Sequence, residues 1–275
     1  MSSSRFRSGT GPLPTQGRLR FVADREVAFT LIEVMVVIVV LTLLLSGLAL
    51  PLAAQLQVRR AEETRRTLDA AREALLGFAA SHGRLPCPAS ASSAGEEAFA
   101  PGGDASNGNC ETFYGGWLPA ATLGLSPVDG EGYLRDAWDT PRNRIRYAVF
   151  GNATVNGVGN PLTRTSGLRM ATLPALGAAS HYVFICSTGA SATVSGCGPA
   201  ANQLTRRAAF VLMSLGANAA NAPVAGSDEA RNIAGAPVFV HHEMSMTPGR
   251  EYDDIVQWVA VSLVVSRLMA AGQLP

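Results

Sequence analysis

Read for the spacing of apolar and polar positions, the chain falls into four stretches. Residues 1–24 are rich in Ser, Gly, Pro and Arg and show no apolar period, so they read as disordered and disposable. Residues 29–50 run FTLIEVMVVIVVLTLLLSGLAL with a single charge, Glu33. At ~1.5 Å per residue they reach about 33 Å, enough for a hydrocarbon core of ~30 Å, so a transmembrane helix is predicted. The run exceeds the ~7–15 apolar residues of an ordinary signal peptide, and no A-x-A-like cleavage site follows it. Pro51 removes one backbone donor and should bend the helix. Residues 51–83 then turn amphipathic, with Leu68, Ala71, Leu75, Leu76 and Ala79 at helical spacing. Gly83 suits the position after a helix, and Pro86 and Pro88 forbid continuation, so one helix is predicted from about Phe29 to His82.

The fourth stretch, residues 84–275, opens with loop-rich sequence to about residue 130. Strand-like runs then stand between turn residues: IRYAVF (145–150), HYVFICS (181–187), AAFVLMSLG (208–216) and APVFVHHEM (236–244). Residues 253–272 begin like a strand and end like a helix. One long helix followed by strands predicts an α+β fold: a helix with a transmembrane half and an amphipathic half, packed on an antiparallel sheet head.

Composition adds two constraints. A net charge of +1 supplies no basic field for nucleic acid. Its distribution is uneven: five Arg against Asp24 and Glu26 precede the apolar run, a pattern that keeps the N-terminus cytoplasmic and exports the rest. All four cysteines, Cys87, Cys110, Cys186 and Cys197, lie beyond the run. An even count on the exported side predicts two disulfides with three connectivities open, and local pairing, Cys87–Cys110 and Cys186–Cys197, is the expectation.

The segment Ala28-Phe29-Thr30-Leu31-Ile32-Glu33-Val34-Met35, continued by the apolar run and Pro51, resembles the processing site of the type IV pilin and type II secretion pseudopilin family. Ala28 stands where most members carry Gly; both are small. At 28 residues the leader is long, which fits a start codon further downstream. The resemblance implies cleavage by a prepilin peptidase between Ala28 and Phe29, and N-methylation of Phe29. It also implies a single-pass protein of the bacterial inner membrane with a periplasmic head. Its partners would be other pilin or pseudopilin subunits, an inner-membrane assembly platform and membrane lipid. A carboxylate inside a membrane segment costs about 2.5–3.5 kcal/mol on insertion scales, so Glu33 needs a partner. The new amine of Phe29 on a neighbouring subunit would serve.

Two segments of the head resemble the major pseudopilins: Asp136-Ala137-Trp138-Asp139-Thr140-Pro141 followed by Ile145-Arg146-Tyr147, and Tyr252-Asp253-Asp254-Ile255-Val256-Gln257-Trp258. In that family a loop beside the second segment binds calcium, which makes Asp253 and Asp254 candidate ligands. Six to eight oxygens are needed, and two carboxylates fall short.

Other constellations fail on spacing. His241-His242-Glu243 lacks the i, i+4 histidines of a helical zinc site. Gly157-Val158-Gly159 lacks the third glycine of a dinucleotide turn. Arg59, Arg60, Arg65 and Arg66 are balanced by Glu62 and Glu63 on a solvated face. With no nucleophile or nucleotide motif, the expected function is that of a structural subunit, a minor pilin or pseudopilin, without catalysis. The competing expectation is a membrane-anchored extracytoplasmic binding or enzymatic domain.

Overall fold

A computed structural model describes residues 30–138 and 143–275, apart from the side chains of 45–54. The chain divides into two compact units, Met1–Pro51 and Leu52–Pro275. Helix α1, Leu31–His82, includes residues of both. Thr30 starts it: its Oγ1 accepts the Glu33 N–H at 3.4 Å and its carbonyl accepts the same group at 3.0 Å. Glu33 thereby sits in the first turn, where the helix dipole favours a carboxylate. From Leu31 to Leu44 every side chain is exposed. In the second unit Ala61, Thr64, Leu68, Ala71, Leu75 and Ala79 are buried. They recur every three or four residues, which gives that part of α1 one apolar face. Gly83, at φ +67°, adopts the left-handed turn that ends the helix and donates its N–H to the Ala79 carbonyl at 2.8 Å.

The strands and short helices follow in order: β1 Gly116–Trp117, β2 Arg146–Val149, β3 Thr154–Val155, β4 Val158–Gly159, α2 Gly167–Ala171, α3 Leu173–Ala178, β5 Val183–Cys186, β6 Gln203–Ser214, α4 Asp228–Asn232, β7 Val238–Val240, β8 Ile255–Ala260 and α5 Val261–Ala270. β3 and β4 form a separate hairpin. The main sheet runs β1-β2-β6-β5-β7, with β8 also paired to β6. β6 is its hub. Its second half pairs antiparallel with β2 (Arg146↔Met213 to Val149↔Phe210) and with β8 (Ile255↔Ser214 to Ala260↔Ala208), and its first half with β5. Residues from Ala208 to Ser214 are accordingly all buried. Leu68, Leu75 and Ala79 of α1 share one apolar cluster with Tyr147, Phe210, Leu212 and Val264. Both expected disulfides form, Cys87–Cys110 and Cys186–Cys197. Beside the first, Arg84 grips Glu97 with two hydrogen bonds of 2.8 and 2.7 Å.

The predicted fold class requires correction on two points. The sheet is mixed, because β7 lies parallel to β5 (Phe184↔Val238 to Cys186↔Val240). The antiparallel expectation assumed hairpin links, but the chain between these strands includes β6 and α4, ample for a crossover. Secondly, among the described residues no helix is long and apolar enough to cross a membrane. The expected transmembrane half, and with it single-pass placement in an inner membrane, is therefore not supported. Ala28 and Phe29, like Asp139, Thr140 and Pro141, lie outside the described residues.

Candidate metal centre

The end of β6 organises a buried acidic group. Gly216 follows at φ +68°, and a Cβ there would lie 2.4 Å from Oδ1 and Cγ of Asp253, so only glycine allows the carboxylate so close. The next two backbone N–H groups, of Ala217 and Asn218, donate to Asp253 Oδ2 at 2.8 and 3.0 Å. The Asp253 N–H in turn donates to Glu229 Oε1 at 3.0 Å. Glu229 is held on α4, whose start is fixed by the Ala230 N–H donating to Ser227 Oγ at 3.1 Å. The Asn218 side-chain amide donates to both Glu229 oxygens, at 2.8 and 3.1 Å. On the other side Asn232 Nδ2 donates to Asp254 Oδ2 at 2.7 Å, while Asn232 Oδ1 accepts the Val240 N–H at 2.7 Å and so ties α4 to β7.

Glu229, Asp253 and Asp254 are all buried, and each offers an oxygen within 4.8 Å of the others. Burial pushes the Asp254 carboxyl up to about 8; the charges of Glu229 and Asp253 add to this, while Asn232 and Arg146 oppose it. Burial likewise pushes Asp253 up to about 6, against the hydrogen bonds from Asn218 and Ala217. Asp253 Oδ1 is buried with no hydrogen-bond partner among the described residues. Crowded carboxylates with an orphaned oxygen are short of positive charge, and this group can hold a metal ion. The donors are all oxygen, which suits a hard cation.

Asp253 and Asp254, the two candidate ligands read from the sequence, are thus brought together with a third acid that was not. Glu229 lies 24 residues upstream. Its only sequence signal was the Ser227-Asp228-Glu229 start of a short helix. Asn218 and Asn232, which orient the carboxylates, carried none. Glu33 belongs to the other unit and stands exposed. The histidine pair makes structural contacts: His242 Nε2 lies 3.0 Å from Asp228 Oδ2 and its ring packs 3.9 Å from that of Tyr252, while His241 meets Trp258 edge-on at 5.2 Å. Asp136 is buried and anchors its own loop, accepting from Asn143 Nδ2 and the Trp138 N–H, each at 3.0 Å, and from Ser214 Oγ. Thr64 Oγ1 accepts the Ala137 N–H at 3.1 Å, which fastens that loop to α1.

A cavity of about 340 Å³ opens beside the acidic group, with Glu229 and Asp254 in its wall together with Trp117 and Arg146. Comparison of the chain with protein-family models, with curated proteins and with solved structures finds no match.

Proposed function

We propose that the chain is a structural subunit of a pilin-like filament, a minor pilin or pseudopilin. On this reading a prepilin peptidase removes residues 1–28, the N-terminal part of α1 mediates assembly, and the chain catalyses nothing. The observation that carries it is the exposed run Leu31–Leu44, entered directly from the Ala28–Met35 sequence. An apolar surface of this extent is stable only when covered, at ~25 cal/mol per Å² removed from water. Equivalent helices of sibling subunits would cover it. Glu33, one turn into the helix, would then meet the amine of a neighbouring Phe29, which fixes the axial register. An assembly platform completes the set of partners that this function requires.

The test is mass analysis of the mature N-terminus in the native host. A methylated Phe29 supports the reading; a chain that keeps residues 1–28 counts against it.

Calcium is the ion proposed for Glu229, Asp253 and Asp254. Three carboxylates supply between three and six of the ~6–8 oxygens it takes, and the orphaned Asp253 Oδ1 is one of them. Calorimetric titration with calcium should show one site, lost in Glu229→Gln and in Asp253→Asn. A wild-type titration without heat of binding would remove calcium from the reading and leave the filament role standing.

A further inference from the structure

The cavity beside the acidic group holds an arginine whose buried Nε lacks a hydrogen-bond acceptor. Arg146 lies on β2 and lines this cavity of about 340 Å³, together with Trp117, Leu215, Ile233 and Pro223. The arginine Nε is buried and meets no hydrogen-bond acceptor among the described residues, and the guanidinium carbon lies 5.9 Å from the centre of the Trp117 ring. Two other arginines of the head are matched by carboxylates: Arg144, in the same wall, bonds Asp129 and Glu131 at 2.8 Å each, and Arg84 is gripped by Glu97. Asp254 acts on Arg146 only as a nearby charge, and burial draws the guanidinium below its ordinary range. The acids in the wall are turned to other donors, Glu229 to Asn218 and Asp254 to Asn232. A half-buried guanidinium with one buried donor unmet calls for an acceptor from outside the fold.

The surroundings say which anion. A guanidinium presents a planar fork that matches a carboxylate with two parallel hydrogen bonds. Glu229 and Asp254 stand close enough to disfavour a dianion such as phosphate more than a monoanion. Trp117, Leu215, Ile233 and Pro223 offer apolar wall to a hydrocarbon body, and the volume falls in the ~300–1,000 Å³ range of small-ligand sites. We propose that this cavity binds a carboxylate carried on a short apolar body, with Arg146 as its anchor and Trp117 and Ile233 as its walls. The carboxylate would come from a free small acid or from the C-terminus of a polypeptide. The site stands whether or not the chain is a filament subunit.

The test titrates the full chain, in the presence of EDTA, with benzoate and with a tetrapeptide ending in leucine, the latter as free acid and as C-terminal amide. Calorimetry or ligand-observed NMR gives the affinities. Both free acids should saturate, and the amide should bind at least about tenfold more weakly than the acid. Arg146→Gln should weaken the acids by about tenfold or more. Ala222→Trp, at an exposed lining residue, should block the cavity with Arg146 untouched, so the test survives if Arg146→Gln fails to fold. A peptide acid that binds at least about tenfold tighter than benzoate identifies a polypeptide end as the source; equal affinities identify a free acid. The proposal is overturned if neither acid saturates, if the amide binds as well as the acid, or if folded variants bind like the wild type.

Discussion

Two stretches of α1 have opposite fates. Residues 31–44 are almost wholly apolar, and not one of them is buried. Residues 61–79 are laden with Arg, Glu and Asp, yet Leu68, Ala71, Leu75 and Ala79 are fully buried among them. Hydropathy alone would rank the two the other way. The difference lies in period and partner. A helix with one apolar face has a side to offer a sheet, and the charges fall on the side left over. A cylinder that is apolar all round has no preferred inward face, and is exposed unless something covers it on every side.

That contrast breaks most readily at Leu75. It has no exposed surface and packs in the cluster shared with the sheet. Leu75→Ala should cost about 2–5 kcal/mol in chemical denaturation of the head, the sum of lost transfer energy and an unfilled cavity. Val37→Ala, at a residue 49% exposed, should change the same midpoint by no more than about 0.5 kcal/mol. Equal losses at the two sites would mean that the first stretch packs intramolecularly after all, and the contrast would dissolve.

The next effect concerns the acidic group, the other region where the fold leaves something unmet. Asp253 and Asp254 have folded pKa values raised to about 6 and about 8, against about 3.9 in an unfolded chain. Between those limits the native state binds more protons than the unfolded one, so stability falls as pH rises. Without metal, the melting temperature should drop from pH 5 to pH 8, on a scale of a few kcal/mol given ~1.4 kcal/mol per pKa unit and the coupling between the two acids. Asp254→Asn should flatten much of that slope. Saturating calcium should reverse it, since a bound cation favours the ionised carboxylates. A head equally stable at both pH values, without metal and without the substitution, would show that these acids are not held as the geometry places them.

How much of this was legible in the sequence depends on how local the cause is. The second half of α1, its end at Gly83, the hydrophobic strands and the switch from β8 to α5 follow from periodicity and from turn residues, which act over a few positions. The disulfide pairs followed from proximity along the chain. The parallel pairing of β5 and β7 did not, because it depends on a crossover whose path no local pattern encodes. The acidic group was half legible. Asp253 and Asp254 are neighbours in sequence, but Glu229 reaches them through the chain's return at α4, and Asn218 and Gly216 through the turn after β6. Arg146 looked like one of many arginines; its lack of an acceptor is a property of the folded cavity alone. The length of the apolar run suggested a membrane span, since a count of apolar residues cannot by itself distinguish lipid from protein as the covering phase.

The smallest effect on stability should come from Glu33, and for that reason it separates two explanations of the residue. Placed in the first turn, an exposed carboxylate is worth about 0.3–1 kcal/mol to its own helix through the dipole. On the proposed function it is worth far more to a neighbouring subunit, as the partner of the Phe29 amine. Glu33→Ala should therefore leave the unfolding of the head unchanged within about 0.5 kcal/mol and sharply reduce the fraction of subunits recovered in sheared filaments. Glu33→Asp discriminates further. Aspartate satisfies the dipole equally well but is one methylene shorter, so a helix-start role predicts full recovery and a pairing role predicts a persistent defect. Recovery of wild-type incorporation with aspartate would assign Glu33 to the helix and leave the exposed run to assemble through packing alone.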